Sequence, residues 1–177
     1  MSKKIVITGG LGYIGTELCK IYSGVSWNNE IIVIDNRFVS ERVNQVRNWN
    51  MEFVHGDVLD KELIQKYCKD ADIVHHLAGI TDVPRTQSEG NKVKNDEILL
   101  VAEQGTQNIL NTIDDKCKII IPSTHVIYEG IENVKNDINE IEETKPILTY
   151  ARSKVINEKQ LKNSGKKYVI LRLGSVY

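Results

Sequence analysis

An apolar, β-branched run, Lys4-Ile5-Val6-Ile7-Thr8, passes without a spacer into Gly9-Gly10-Leu11-Gly12-Tyr13-Ile14-Gly15. A glycine at every third step of that segment narrows the available folds sharply. The strand must end in a tight turn and re-enter a helix, predicted at Tyr13–Tyr22, at once. In such a turn Gly9 takes dihedrals that other residues avoid, Gly12 leaves the backbone open to close approach, and Gly15 lets helix and strand pack closely. The start of the helix adds unpaired N–H groups and a partial positive charge, which suit a pyrophosphate. A glycine-rich turn that holds nothing is the bland alternative.

The rest of the chain keeps the same rhythm. Strand candidates at Lys4–Thr8, Glu30–Asp35, Met51–His55, Ile73–Leu77, Lys118–Pro122 and Lys167–Leu173 are continuously apolar, as strands covered on both faces should be. Helical spacing falls between them at Lys61–Cys68, Glu97–Thr112 and Ile147–Asn163, besides Tyr13–Tyr22. The alternation predicts an α/β fold: a doubly wound parallel sheet with helices on both faces. The polar, acidic stretch Glu129–Lys145 reads as a mobile surface loop. With 177 residues, 41% of them hydrophobic, the chain can bury the core of one domain.

Charge and cysteine usage exclude several classes. Lys and Arg number 23 against 24 Asp and Glu, so no broad positive field would draw nucleic acid. Cys19, Cys68 and Cys117 lack any paired spacing and read as reduced thiols. No apolar run approaches membrane-spanning length, and the apolar stretch after Lys3 and Lys4 is too short for a signal peptide; a cytoplasmic location is expected. His75 and His76 are adjacent on a strand, so they point to opposite faces and make no metal site; no metal is expected.

The second strand ends at Asp35, about 20 residues beyond the glycines, where a carboxylate could accept hydrogen bonds from ribose hydroxyls. It would repel a 2′-phosphate, which favours NAD over NADP, although Arg37 could tolerate that phosphate. A solvated strand-end Asp is the alternative.

Tyr150-Ala151-Arg152-Ser153-Lys154, taken with the glycine turn, resembles the Tyr-x-x-x-Lys signature of the extended short-chain dehydrogenases, the NAD-dependent epimerases and dehydratases of nucleotide sugars. The resemblance covers essentially the whole chain and implies a Rossmann-type sheet in the strand order 3-2-1-4-5-6. His55-Gly56-Asp57-Val58 looks like that family's adenine-contacting turn, and His76-Leu77-Ala78-Gly79 like the strand end under the nicotinamide ribose. Gly105-Thr106-Gln107-Asn108 matches its next helix. The cofactor contacts so implied are Gly9, Gly12, Tyr13, Ile14, Gly15, Asp35, Asn36, Asp57, Val58, Leu77, Ala78, Gly79, Tyr150 and Lys154. Thr81-Asp82-Val83-Pro84-Arg85 and Ile34-Asp35-Asn36 look closest to the UDP-sugar 4-epimerases. Substrate contacts are then expected at Asp82, Val83, Thr124, His125 and Ser175, with a nucleotide sugar as partner.

Residues four apart on a helix share a face, so Tyr150 and Lys154 would converge on one substrate atom and the cofactor. A free tyrosine, with pKa about 10, is a poor base near neutrality; a nearby ammonium and the positive nicotinamide would favour its phenolate. By family analogy Lys154 also holds the nicotinamide ribose while Tyr150 takes a hydroxyl proton. Thr124, four residues before Tyr128, would hydrogen-bond the reacting oxygen, with Ser123 as a substitute. The plain structural alternative is that Thr124 only caps its strand end.

Departures from the family pattern refine the expectation. Its dehydratases carry an Asp-Glu pair after this Thr, whereas this chain has His125-Val126. Without that acid and base, oxidation and re-reduction at one carbon is favoured over elimination; His125 reads as a substrate-contacting or structural residue, with a role as an acid the alternative. Ala102 stands where the family has Asn, and Glu129 where it has Gly. Leu171-Arg172-Leu173-Gly174-Ser175-Val176-Tyr177 resembles the strand after which members continue into a substrate-binding lobe, so a single domain lacking that lobe is expected, with weak turnover on its own. Three functions remain: an NAD-dependent nucleotide-sugar epimerase, an NAD(P)-dependent keto-sugar reductase, dehydrogenase or dehydratase of the same family, and a dinucleotide-binding module without turnover. The family commonly dimerises through the helices corresponding to residues 97–112 and 147–163, so a homodimer is plausible.

Overall fold

The computed structural model describes residues 2–25, 28–81, 91–132 and 137–176. Six strands, β1 (Lys4–Thr8), β2 (Glu30–Asp35), β3 (Glu52–His55), β4 (Ile73–His76), β5 (Lys118–Thr124) and β6 (Lys167–Leu173), form one parallel sheet in the order β3-β2-β1-β4-β5-β6. The expected sheet and strand order are both found. Strand order reverses between β1 and β4, which opens a crevice at the carboxyl ends of the strands.

Helices α1 (Tyr13–Val25), α2 (Ser40–Asn48), α3 (Lys61–Cys68), α4 (Lys92–Leu100), α5 (Thr106–Thr112) and α6 (Thr149–Asn163) cover the sheet, with a π turn, Val101–Gly105, joining α4 to α5. Strand side chains alternate between the two faces. Ile5, Ile7, Ile31 and Val33 therefore meet Leu11, Cys19, Val43 and Val46 on the α1–α2 side. Val6, Ile32, Ile34, Val74 and Ile119 meet Ile64, Ile109 and Leu161 on the opposite side. Each fully buried Ile or Leu stabilises the fold by roughly 1.5–3 kcal/mol relative to exposure, which is why the strand runs are apolar throughout. The histidine pair divides in the same way. His75 meets the Tyr22 hydroxyl through Nε2 at 2.7 Å, while His76 meets Thr8 at 2.8 Å and Thr106 at 3.0 Å on the other face.

Several elements differ from the sequence expectation. Helix α2 has only two buried apolar residues, Val43 and Val46, too few to show a period. Helix α4 starts at Lys92 because Asn91 caps it, its side chain accepting from Val93 N–H, although the first turn is polar. Strand β5 runs two residues past Pro122. Its pairing with β4 ends at Ile120, so beyond that point only β6 lies alongside and a proline without an N–H is tolerated. The segment after β5 is anchored at several points. Gly130 N–H donates to Lys145 O and Lys145 N–H to Ile127 O, both at 2.9 Å, while Tyr128 reaches Asn139 O. Glu129, the residue in place of the family's glycine, accepts from Ile147 and Leu148 N–H at 2.6 and 2.5 Å. It thus supplies the cap that Leu148 cannot give α6.

Helix α6 is fastened to the sheet by Glu158, whose side chain is 3% exposed. Ser123 Oγ on β5 donates to Glu158 Oε1 at 2.6 Å, and Arg172 on β6 donates to both carboxylate oxygens at 2.9 and 2.6 Å. Burial pushes this carboxyl up, but the hydrogen bonds from Arg172 and Ser123 and the charges of Arg172 and Lys162 outweigh it and hold Glu158 below the ordinary carboxylate range. Its contribution is therefore present above the unfolded pKa and lost as pH falls through the lower folded value. Glu158→Gln leaves Arg172 without its counter-charge and is expected to cost roughly 3 kcal/mol near neutral pH. Urea melts should show that deficit shrinking as the pH drops below the carboxylate range; a constant deficit would mean the charge is not what matters.

Candidate functional site

The opening turn is built for close approach on two sides. Gly9 has φ +68°, and a Cβ there would lie 2.6 Å from Ala78 N and 2.8 Å from Leu77 C, so only glycine lets β1 press its turn against the end of β4. Gly15 lets α1 pack on the backbone of Gly9 and Gly10, on the turn itself rather than on the strand. A Cβ on Gly12 would instead stand 3.1 Å from Gly9 O and 3.9 Å from Arg37 Nη2, with no backbone clash under 3 Å. The ladder of α1 starts with Thr16 N–H donating to Gly12 O, so the Tyr13, Ile14 and Gly15 amides precede it and lie at the positive end of the helix. Asp35 holds this turn in place: one carboxylate oxygen accepts from Leu11 N–H at 2.9 Å and the other from Arg37 N–H at 2.9 Å. Both oxygens keep lone pairs for a further donor.

A cleft of ≈ 710 Å³ opens at this end of the sheet. Its walls include Gly9, Gly12, Tyr13, Ile14, Gly15, Asp35, Asn36, Asp57, Val58, Leu77, Ala78 and Gly79, together with Thr124, Tyr150 and Lys154. Asn36 donates to Asp57 at 2.8 Å, joining the ends of β2 and β3 across one end of it. Asn108 on α5 donates to Val58 O at 3.0 Å, and a side chain at Gly105 would strike Val58 Cγ2 at 2.7 Å. Helix α5 therefore props up the turn after β3, which gives a structural reason for Gly105 and Asn108.

Tyr150 and Lys154 project from α6 on one face, with the Lys154 ammonium 5.6 Å from the Tyr150 ring centroid and close to Gly79. Burial pushes Lys154 down to about 8. Burial raises Tyr150 above the usual tyrosine range, so the lysine alone does not turn it into a base. Beneath them His76, driven down to about 3 by burial and by Lys154, is a neutral hub between Thr8 and Thr106. Thr124 Oγ1 accepts from Val126 N–H at 3.2 Å, capping the short turn His125–Tyr128 as the structural alternative supposed, and also faces the cleft. As an acceptor there it keeps its O–H to donate. Ser123, the proposed substitute, has its hydroxyl proton committed to Glu158.

Other expected residues fall elsewhere. His125 is exposed, bonded through Nδ1 to Leu173 O at 3.2 Å, and is not among the cleft residues, nor is the exposed Ser175, although Gly174 and Val176 are. Asp82 and Val83 lie outside the described residues. The Ala102 carbonyl, in the π turn, accepts from Asn157 Nδ2 at 2.7 Å. Sequence reasoning missed Glu97, Leu100 and Val101, which bring the α4 end over the cleft. It also missed Glu158, which stands four residues after Lys154 and eight after Tyr150; a carboxylate in that stripe was the available signal.

Comparison with known proteins places this arrangement. The family model described as the NAD dependent epimerase/dehydratase family matches residues 5–177. The chain belongs to that family. Its relatives include a dTDP-D-glucose 4,6-dehydratase of Dictyostelium discoideum, 30% identical over 99% of this chain and 44% of the relative. A CDP-paratose 2-epimerase of Salmonella typhi is 34% identical over 75% of this chain and 40% of its own length. The chain thus spans less than half the length of these two curated relatives. Among solved structures, a UDP-N-acetylglucosamine 4-epimerase from Methanobrevibacter ruminantium, in complex with UDP-N-acetylmuramic acid, superposes with a TM-score of 0.77 at 28% identity, covering 97% of this chain and 54% of that one. A UDP-glucose 4-epimerase from Brucella ovis in complex with NAD gives 0.75 at 27% identity, over 97% of this chain and 51% of that one.

NAD is the cofactor of this epimerase/dehydratase family, and the residues present fit it. The Cβ-free backbone at Gly12 beside a helix N-terminus suits a diphosphate, and a buried ammonium with no carboxylate paired to it among the described residues suits a polar ligand. Among the described residues no helix is long and apolar enough to cross a membrane. Because Lys154 titrates near 8 when folded and near 10.5 otherwise, its charge opposes folding below pH 8, and the penalty fades as pH climbs toward 10.5. Lys154→Met should therefore raise the melting temperature by about 5 °C at pH 7, an advantage that narrows above pH 8. A lower melting temperature at pH 7 would show that the lysine is compensated in a way its burial does not reveal.

Proposed function

We propose that this chain is the cofactor-binding, catalytic domain of a nucleotide-sugar epimerase that oxidises and re-reduces one sugar carbon. The observation that carries the proposal is that Tyr150, Lys154 and Thr124 face the same cleft as the glycine turn and Asp35. In this assignment the Tyr13 and Ile14 amides and Gly12 hold the diphosphate, Asp35 the adenosine ribose, and Asn36, Asp57 and Val58 the adenine. Leu77, Ala78, Gly79 and Lys154 hold the nicotinamide half. NAD bound here would supply a reversible hydride acceptor, with hydride returned to the opposite face of the ketone, and a positive nicotinamide that would favour the Tyr150 phenolate. Tyr150 takes the proton of the sugar hydroxyl as the carbonyl forms and gives it back on re-reduction. Thr124 donates to the reacting oxygen, and Lys154 remains charged beside the phenolate. Burial keeps bulk water from competing for those bonds.

Support for epimerisation over elimination comes from the residues after Thr124. His125 bonds Leu173 O through Nδ1 and Val126 carries no ionisable group, so the Asp-Glu pair of a dehydratase has no counterpart after Thr124. The chain covers 44% and 40% of the length of the two curated relatives, and binding energy from the rest of such a protein would help position the sugar, so this stretch assayed alone is expected to bind NAD and turn over slowly. Three free, buried cysteines are consistent with the reducing cytoplasm. A homodimer through α4–α5 and α6 would cover the exposed Val93.

The natural polypeptide containing this chain, assayed against UDP-, dTDP- and GDP-sugars, should yield a stereoisomer without net NADH. Tyr150→Phe should lower that rate by about 10²–10⁴-fold while leaving NAD affinity within twofold or so. Stoichiometric NADH would assign a dehydrogenase, loss of water a dehydratase, and an unchanged rate in Tyr150→Phe would remove the tyrosine from the chemistry.

A further inference from the structure

We infer that Arg37 is a phosphate-binding residue of the dinucleotide site, holding an oxygen of the cofactor's diphosphate over Gly12. The inference deepens the assignment of the cleft to NAD and rests on it. Asp35 fixes the Arg37 backbone by accepting its N–H at 2.9 Å, which sets the side chain at the carboxyl end of β2, beside the opening turn. From there the guanidinium extends across the turn: its Nη2 lies 3.9 Å from where a Gly12 Cβ would be. That is the side of Gly12 that carries no Cβ, at the N-terminus of α1, where an anion meets the first amides of the helix. Arg37 also lines the cleft.

The guanidinium is poorly committed within the protein. Its ion pair with Asp35 is a single Nε contact at 3.5 Å, and the side chain is 61% exposed, whereas Asp35 is 3% exposed with both oxygens already accepting backbone N–H groups. A surface pair of that geometry holds little energy, so the remaining N–H donors can turn to a phosphate without breaking a strong bond. The planar fork suits two phosphate oxygens at once, which an ammonium cannot match. The same group could instead meet a 2′-phosphate on the adenosine ribose, and the ligands below separate the two sources.

Isothermal titration of the chain with NAD, ADP, adenosine and 2′,5′-ADP tests the assignment. Arg37→Ala should bind NAD and ADP about tenfold more weakly, the scale of one partly screened charge-assisted hydrogen bond, with adenosine unchanged. Arg37→Lys should recover only part of the loss, and raised salt should narrow the gap between wild type and Arg37→Ala. Equal affinity of wild type and Arg37→Ala for NAD and ADP overturns the inference while leaving the cofactor assignment intact. So does a loss confined to 2′,5′-ADP, which would place the arginine at the ribose phosphate, and so does an equal loss for adenosine, which would mean a disturbed Asp35. A wild-type chain that binds neither NAD nor ADP overturns the inference together with the assignment of the cleft.

Discussion

The backbone of Gly9 lies against that of Leu77 and Ala78 with no room for a β-carbon between them. This contact brings the turn after β1 down onto the end of β4, at the one place where the order of strands reverses. Everything that faces the cleft is referred to it. The helix α1 N-terminus is aimed by the turn, Gly79 continues from Ala78 to the Lys154 ammonium, and His76 ties Thr8 to Thr106 below. Asp35 completes the frame by bonding Leu11 from β2, so the two strands nearest the turn share one carboxylate. A residue larger than glycine at position 9 would separate these parts before any chemistry could be considered.

The second half of the site is set by one face of α6. Tyr150, Lys154 and Glu158 follow one another at four-residue steps, and the last of them is locked to Ser123 and Arg172. Ser123 is the neighbour of Thr124, so a single buried carboxylate fixes the distance between the strand that offers a hydroxyl and the helix that offers a phenol and an ammonium. Glu129 holds the beginning of the same helix through two backbone amides. The helix is therefore held near both its N-terminal and its central turns, an arrangement suited to groups that must sit within fractions of an ångström. That geometry is arranged around a phenol pushed up and an ammonium pushed down to about 8, the latter a stability cost below that pH of the kind found where a ligand supplies hydrogen bonds.

Much of this was legible from residue order because its causes are local. Glycines three apart after a β-branched run, a carboxylate at the end of the next strand, and a Tyr-x-x-x-Lys helix each state a backbone or spacing requirement directly. What escaped was decided by contacts between distant segments. Helix α2 has two apolar residues and takes its stability from the sheet it covers. The reach of β5 past Pro122 depends on where β4 stops, and the π turn at Val101–Gly105 is bonded from α6, where Asn157 and Gln160 donate to the Ala102 and Glu103 carbonyls. His125 looked like a cleft residue by its neighbours in the chain, yet its ring is turned to the end of β6. Burial, which sequence does not show, raises the Tyr150 phenol and works against the pull expected from its lysine and the nicotinamide charge together.

The most direct measurement is a crystal structure of the chain with NAD. The dinucleotide should lie across the glycine turn with its diphosphate at Gly12 and its nicotinamide ring between Gly79 and the Tyr150 phenol, with Lys154 on the ribose. A dinucleotide bound elsewhere, or a nicotinamide ring held away from Tyr150, would contradict the redox role given to this cleft.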